Sequence, residues 1–317
     1  MTFPVFDLHC DTTDVLAGFN GFDPSELSKN QGHIDLQRAS GLSGYAQCFA
    51  CFTTTGGPFD PINTFEKKLA AIHRELGKNY DRIRQVYSTD EIEENLEKGI
   101  FSAILSIEGP AGFGFDPELL EDLYKIGFRV STLCWNEHNP LTGSHCTGGG
   151  LSEQGREYVR EAQRLGMLID VSHISDEGFW DIIDITGAPI IASHSNSRSV
   201  CNVSRNISDD MFRAISQTGG VVGINFYPEF LGSDATLDTV CDHILHFAEF
   251  DPECAHIALG GDLDGIESLP AGFAGVGDYP LLAERLLARG LSEANVMNIF
   301  WNNALGVMKN AVHKHAK

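Results

Sequence analysis

A (β/α)8 TIM barrel of the α/β class, folded as a single domain over residues 1–317, is the architecture this sequence predicts. Three observations predict it. Eight short β-rich apolar runs recur along the chain, amphipathic helical segments lie between them, and no G-x-G-x-x-G follows the first run. Near-continuous apolar strands alternating with amphipathic helices imply a parallel sheet covered on its outer face. The missing glycine pattern weakens the alternative of an open dinucleotide-binding sheet. A length of 317 residues suits an undivided α/β barrel.

The strand runs are PVFDLH (4–9), YAQCFACF (45–52), FSAILSIEG (101–109) and FRVSTLCW (128–135). They continue with GMLIDVSH (166–173), APIIASHS (188–195), GGVVGINF (219–226) and HIALGGDLDG (256–265). Between them NTFEKKLAAIHREL, PELLEDLYKIG, SEQGREYVREAQRLG and SDDMFRAISQTG read as helices. Ser152 and Ser208 stand where N-caps stand, and acids fill the first turn after Ser208. Gly127, Gly166 and Gly219 fall just past helical runs, as C-terminal caps do.

The formal net charge is −22, from 44 acidic and 22 basic residues. Nucleic acid and anionic membranes both need clustered Lys and Arg, so neither is an expected partner. The start, MTFPVFDLHCD, lacks the charged and apolar leader pattern of a secretory signal. No run of about 18 apolar residues suggests a membrane span. A cytoplasmic location is therefore expected, and a homodimer is one expectation for assembly. The eight cysteines are scattered, and Cys48-x-x-Cys51 reads as core packing because no second Cys pair accompanies it at zinc-finger spacing.

Barrel enzymes carry their chemistry at the carboxyl ends of the strands. Read in order, those ends present His9 and Asp11, Glu108, the Trp135–His138 region, His173, His194, Asn225 and Asp262. Residues i and i+2 of a strand project to one side, so His9 and Asp11 point together. Glu108, directly after AILSI, is expected to be buried and in need of a partner or cation, and Asp262 in ALGGDLDG is similar. Three histidines and two or three carboxylates suit a borderline metal such as Zn2+. Five protein ligands exceed what one catalytic zinc normally takes; they fit two metals sharing a bridging carboxylate, able to polarise a carbonyl or phosphoryl oxygen. His145, His243, His246, His256, His313 and His315 read as structural or solvated. There is no G-x-S-x-G nucleophile elbow and no P-loop.

DLHCDTT (7–13), GHIDLQRASGLSGYAQCFACF (32–52), SIEG (106–109), GMLIDVSH (166–173), ASHSNSRSVCNVSRNISDD (192–210) and GGDLDG (260–265) resemble the membrane (renal-type) dipeptidase family. This is metallopeptidase family M19 of the amidohydrolase-like barrels. The resemblance implies a binuclear zinc barrel that hydrolyses dipeptides, often with a D-residue at the carboxyl-terminal position. Carried over by position, His9 and Asp11 would hold one zinc, His173 and His194 the other, and Glu108 would bridge them. Asp262 would carry the proton, and Arg205 would hold the substrate's terminal carboxylate. Trp135 stands where the family has a substrate-facing histidine, and His138 is the candidate replacement from the following loop. Asn225 joins Arg205, Trp135 and His138 as an expected substrate-side residue. Two other readings stay open: a metal-dependent hydrolase of another amide, lactone or phosphoester, and a catalytically silent metal-binding barrel.

Overall fold

The computed structural model describes residues 2–313. Its strands are β1 (Val5–Cys10), β2 (Tyr45–Phe52), β3 (Ile83–Gln85), β4 (Phe101–Glu108), β5 (Phe128–Thr132), β6 (Leu168–Asp170), β7 (Ile190–Ala192), β8 (Val221–Ile224) and β9 (Ile257–Leu259). All pair in parallel. Eight of them close a ring in the order β1-β2-β4-β5-β6-β7-β8-β9, with β9 returning to β1 through Asp7 and Leu259. Helices flank the ring, so the expected barrel is the observed one.

The sequence reading missed β3. It pairs only with the start of β4, from Ile83–Phe101 to Gln85–Ala103. β5 joins that edge of β4 only from Leu105 onward, which leaves the lower edge open for a short addition. Three residues are too few for a period to be read. Several ladders are also shorter than their apolar runs, β6, β7 and β9 being three residues each. Past the carboxyl ends of these ladders the runs carry His173, His194 and Asp262 to the cluster around Glu108 and His9.

Local signals act where expected. Ser152 accepts the N–H of Gly155 at 3.0 Å, and Ser208 that of Met211 at 3.3 Å. Gly166 and Gly219 end their helices in the left-handed region. Inside the barrel Phe6, Leu8, Ala46, Cys48, Ile104 and Val130 pack on one another. Trp301, Val307 and Met308 belong to the same cluster, so the chain around the helix Asn303–His313 plugs the lower end. Phe6 and Trp301 meet with ring centroids 5.6 Å apart. Cys48 belongs to this inner cluster and Cys51 to the outer one between sheet and helices, so the Cys-x-x-Cys pair points two ways, into packed core.

Among the described residues no helix is long and apolar enough to cross a membrane. His256 bonds the Gly220 carbonyl and His246 pairs with Asp209, both at 2.8 Å, in keeping with structural roles. His315 and the side chain of His313 lie outside the described residues. His243 is fully buried: Ser197 N–H donates to its Nδ1 and its Nε2–H donates to the Leu231 carbonyl, each at 3.1 Å.

That geometry requires the neutral ring, and burial pushes the His243 pKa down to about 4 from 6.5. The unfolded chain therefore binds this proton at a pH where the folded chain does not. The group's contribution is complete above pH 6.5 and disappears as pH falls towards 4. About 3 kcal/mol is at stake. Urea unfolding at pH 7 and at pH 4.5 is expected to show a smaller loss of stability in His243→Gln than in the wild type. Equal losses would rule the assignment out.

Candidate metal centre

The opening His-x-Asp reaches the mouth through an irregularity in β1. Val5, Phe6 and Asp7 pair in step with Tyr45, Ala46 and Gln47, but Cys10 pairs with Phe49. One extra residue has entered β1, a bulge that reverses which side of the strand faces inward. Phe6 and Leu8 fill the barrel below it, and His9 faces inward above it. Asp7 holds the bulge: its carboxylate accepts the N–H groups of His9 and Gly261, each at 2.9 Å, and the hydroxyl of Tyr279.

Five strand ends then converge. Glu108, closing β4, sets Oε2 3.3 Å from His9 Nε2 and Oε1 3.1 Å from His173 Nε2. The same Oε1 is 3.9 Å from His194 Nε2. His9 Nε2 also lies 3.4 Å from Asp11 Oδ2 and 3.7 Å from Asp262 Oδ1. The rings of His9 and His194 stack at 3.8 Å. His173 and Asp262 both adopt left-handed backbone, with φ of 70° and 58°. Such φ values are uncommon outside glycine and cluster where a site dictates side-chain direction.

The protonation pattern explains what this cluster can hold. Asn136 Oδ1, an acceptor, lies 2.9 Å from both His173 Nδ1 and His145 Nε2, so both nitrogens donate to it. The Ser193 hydroxyl donates to Asp170 at 2.5 Å and accepts from His194 Nδ1 at 2.6 Å. Asp170 is fixed in turn by Thr132 and by the N–H groups of Ser172 and Ser193. Both Nε2 atoms are thereby left without protons, the two nitrogens 3.0 Å apart. Burial holds the pKa values of His173 and His194 well below the ordinary range, and positive neighbours add to this. Neutral imidazoles with facing lone pairs repel each other unless a cation lies against them.

Further observations agree. His9 Nε2 and Asp11 Oδ1 are buried without a hydrogen-bond partner. His9–Glu108–His194 and His9–Asp11–Asp262 each offer ligand atoms within 4.8 Å of one another. Burial raises the pKa of Glu108, and the charge of Asp11 raises it further. Burial raises Asp262 as well, with Asp11 again contributing. His9 is driven up instead: burial opposes its charge, but Glu108 and Asp11 outweigh that. Crowded carboxylates beside bare imidazoles are a fit for metal cations. The two compact triads share His9, whereas the sequence-based partition separates His9 and Asp11 from His173 and His194.

A cavity of about 440 Å³ opens above the cluster, lined by Asp11, Glu108, Trp135, His173 and Asp262 among others. Arg205, in the segment after β7, is buried and donates Nη1 to Ser195 Oγ at 3.0 Å. Its Nε and Nη2 are buried without partners. Trp135 forms part of the cavity wall against Phe52. Arg205 lies behind the cavity surface rather than among its lining residues, and two other expected substrate-side residues lie elsewhere. His138 is exposed and is not part of the cavity lining, because its loop turns the side chain outward. Asn225 is fully buried and gives its amide to Asp262 Oδ2 at 2.9 Å, so it orients Asp262 from behind.

His145, read from sequence as structural or solvated, instead stands beside His173 through Asn136, with Ser204 Oγ 3.0 Å from its Nδ1. Asn136, Asp170 and Asp7 were also missed. Asp7 and Asp170 did carry a signal, since an ionisable residue inside an apolar strand must find partners. Asn136 carried none.

The family profile described as Membrane dipeptidase (Peptidase family M19) matches residues 1–317. An uncharacterized dipeptidase of Schizosaccharomyces pombe is 39% identical over 215 residues, covering 66% of this chain and 53% of that protein. The match thus spans about half the length of that relative. An uncharacterized protein of Klebsiella pneumoniae is 34% identical over 267 residues, covering 80% of this chain and 98% of that protein. Among solved structures, a metallo peptidase from Rhodobacter sphaeroides, liganded with a phosphinate mimic of the dipeptide L-Ala-D-Ala, shares the fold with a TM-score of 0.88. Its sequence is 25% identical, and the match covers 98% of this chain and 100% of that one. With the profile matched from end to end and the barrel shared, the chain belongs to the membrane dipeptidase family, peptidase family M19.

Proposed function

We propose that this chain is a two-zinc dipeptidase acting on dipeptides with a free terminal carboxylate, including those ending in a D-residue. The observation that carries the reading is Glu108, buried, with one oxygen turned to His9 and the other to His173 and His194. A carboxylate so placed suits a bridge between one cation held by His9 and Asp11 and another held by His173 and His194. The mixed imidazole and carboxylate donor set suits zinc. The R. sphaeroides relative's L-Ala-D-Ala mimic supports the D-residue.

When bound, the cations supply Lewis acidity towards the scissile carbonyl and lower the pKa of water at the site. The chain's own groups do the rest. Asp262, lining the cavity and held by Asn225, takes a proton from the attacking water and delivers it to the leaving amine. Burial raises its pKa, which strengthens it as a base. Arg205 offers its unpaired Nε and Nη2 to the substrate carboxylate as a fork. Asn136 and the Ser193–Asp170 pair keep His173 and His194 in the single tautomer that leaves Nε2 free. A cytoplasmic setting is part of the proposal, supported by six buried thiols among the eight cysteines; fractionation of the source cells checks it.

The test joins metal analysis of the purified protein to a substrate panel of L,L- and L,D-dipeptides, a generic ester, a lactone and a phosphoester. Two zinc per chain and turnover of dipeptides alone are expected. Cleavage confined to a non-peptide bond would transfer the chain to the wider hydrolase reading. Bound metal without turnover would make it a silent barrel.

A further inference from the structure

Beside the main cavity lies a second of about 250 Å³. The two share Asn20, Phe52 and Trp135 as lining residues, so they adjoin each other. Cavities that hold a whole small ligand run to about 300–1,000 Å³. The annex is smaller than that and fits one side chain. Its chemistry also differs from its neighbour's. The main cavity is ringed by carboxylates, whereas the annex is lined by Phe19, Phe52, Pro58, Phe59 and Trp135 over Lys68.

Lys68 is 1% exposed and its charge is committed. Its ammonium pairs with Asp14, donates to the Phe52 carbonyl at 2.7 Å, and lies 4.8 and 5.5 Å from the ring centres of Phe52 and Phe19. A cationic guest would meet a like charge there. An acidic guest would lose water against apolar walls, and the Lys68 charge is already neutralised by Asp14. An uncharged apolar side chain loses nothing and removes its surface from water.

Barrel order decides which residue of a dipeptide enters. The annex is built on the end of β2 and the segment leading to the helix Pro61–Lys78, while Arg205 follows β7. In the ring β1-β2-β4-β5-β6-β7-β8-β9, β2 and β7 are four places apart and face each other. The Glu108 cluster lies between. A dipeptide whose carboxylate is held by Arg205 and whose peptide carbonyl sits over the cluster must place its amino-terminal residue on the β2 side. We infer that the annex is the subsite for the amino-terminal side chain and selects large uncharged apolar residues such as Phe, Leu and Met. The inference rests on the dipeptidase reading above and adds its substrate class.

The experiment measures kcat/KM of the full-length, metal-loaded protein on Phe-Ala, Leu-Ala, Ala-Ala, Lys-Ala, Asp-Ala and the reversed Ala-Phe, all of L-residues. Phe-Ala and Leu-Ala are expected to exceed Ala-Ala by about 10- to 100-fold. Lys-Ala and Asp-Ala should fall below Ala-Ala, and Ala-Phe should show no comparable gain. Two variants locate the effect. Thr54→Phe fills the annex and Phe59→Ala opens its half-exposed wall; both should draw the Phe-Ala to Ala-Ala ratio towards one. Equal rates on Phe-Ala and Ala-Ala would overturn the subsite, as would a gain that follows Ala-Phe or a ratio untouched by both variants. If no dipeptide is cleaved at all, the dipeptidase reading itself falls and the subsite with it.

Discussion

Glu108→Gln is expected to cost the protein its metal and its turnover together. Zinc per chain should fall from two to one or none, and kcat on the best dipeptide by at least about 10³-fold, since each 1.36 kcal/mol of lost stabilisation is a factor of ten. Glutamine keeps the shape of the side chain and one acceptor oxygen. It removes the negative charge that faces His9 at 3.3 Å and His173 at 3.1 Å. A second measurement separates this from simple damage to the fold. Without metal, the carboxylate is an unfavourable guest in the barrel, because burial and the charge of Asp11 already raise its pKa. The metal-free variant should therefore melt no lower than the metal-free wild type. Two zinc ions retained at full turnover would eliminate the bridge.

Asp262→Asn should leave zinc content near two per chain and lower kcat by about 10²–10⁴-fold, the usual worth of a general acid–base. Asparagine keeps an oxygen that can still accept the Asn225 amide. What it cannot do is carry a proton. KM should change little, because the substrate carboxylate is assigned to Arg205, in the segment after β7. Near-normal kcat would remove Asp262 from the reaction. Loss of one zinc in this variant would make it a ligand instead, a role its 3.7 Å approach to His9 also allows.

Much of the fold was legible because it rests on local signals. Ser152, Ser208, Gly166 and Gly219 cap helices by contacts within a few residues, and the eight apolar runs advertise strands buried on both faces. The ligand-type residues were legible for a related reason: buried His, Asp and Glu at strand ends are costly, so their presence signals use. β3 was not, since Ile83–Gln85 is held only by an edge that β5 leaves open. Nor could loop residues be sorted. His138 and His145 look alike in sequence, yet one faces outward and the other reaches Asn136. Asn225 was placed at the substrate and instead buttresses Asp262, a choice made by a partner 37 residues away.

An eight-stranded barrel, and the kinds of side chain that crowd its carboxyl rim, could be read from the amino-acid order, because period, capping and the cost of buried charge act along short stretches of chain. How those side chains meet was set by packing between distant segments. That packing placed the bulge that turns His9 inward, chose Asn136 and Ser193 to fix the histidine tautomers, and set an apolar annex opposite Arg205. Each of these depends on groups brought together from different strands, and the free energy of a buried lone pair or charge is set by whichever neighbour arrives.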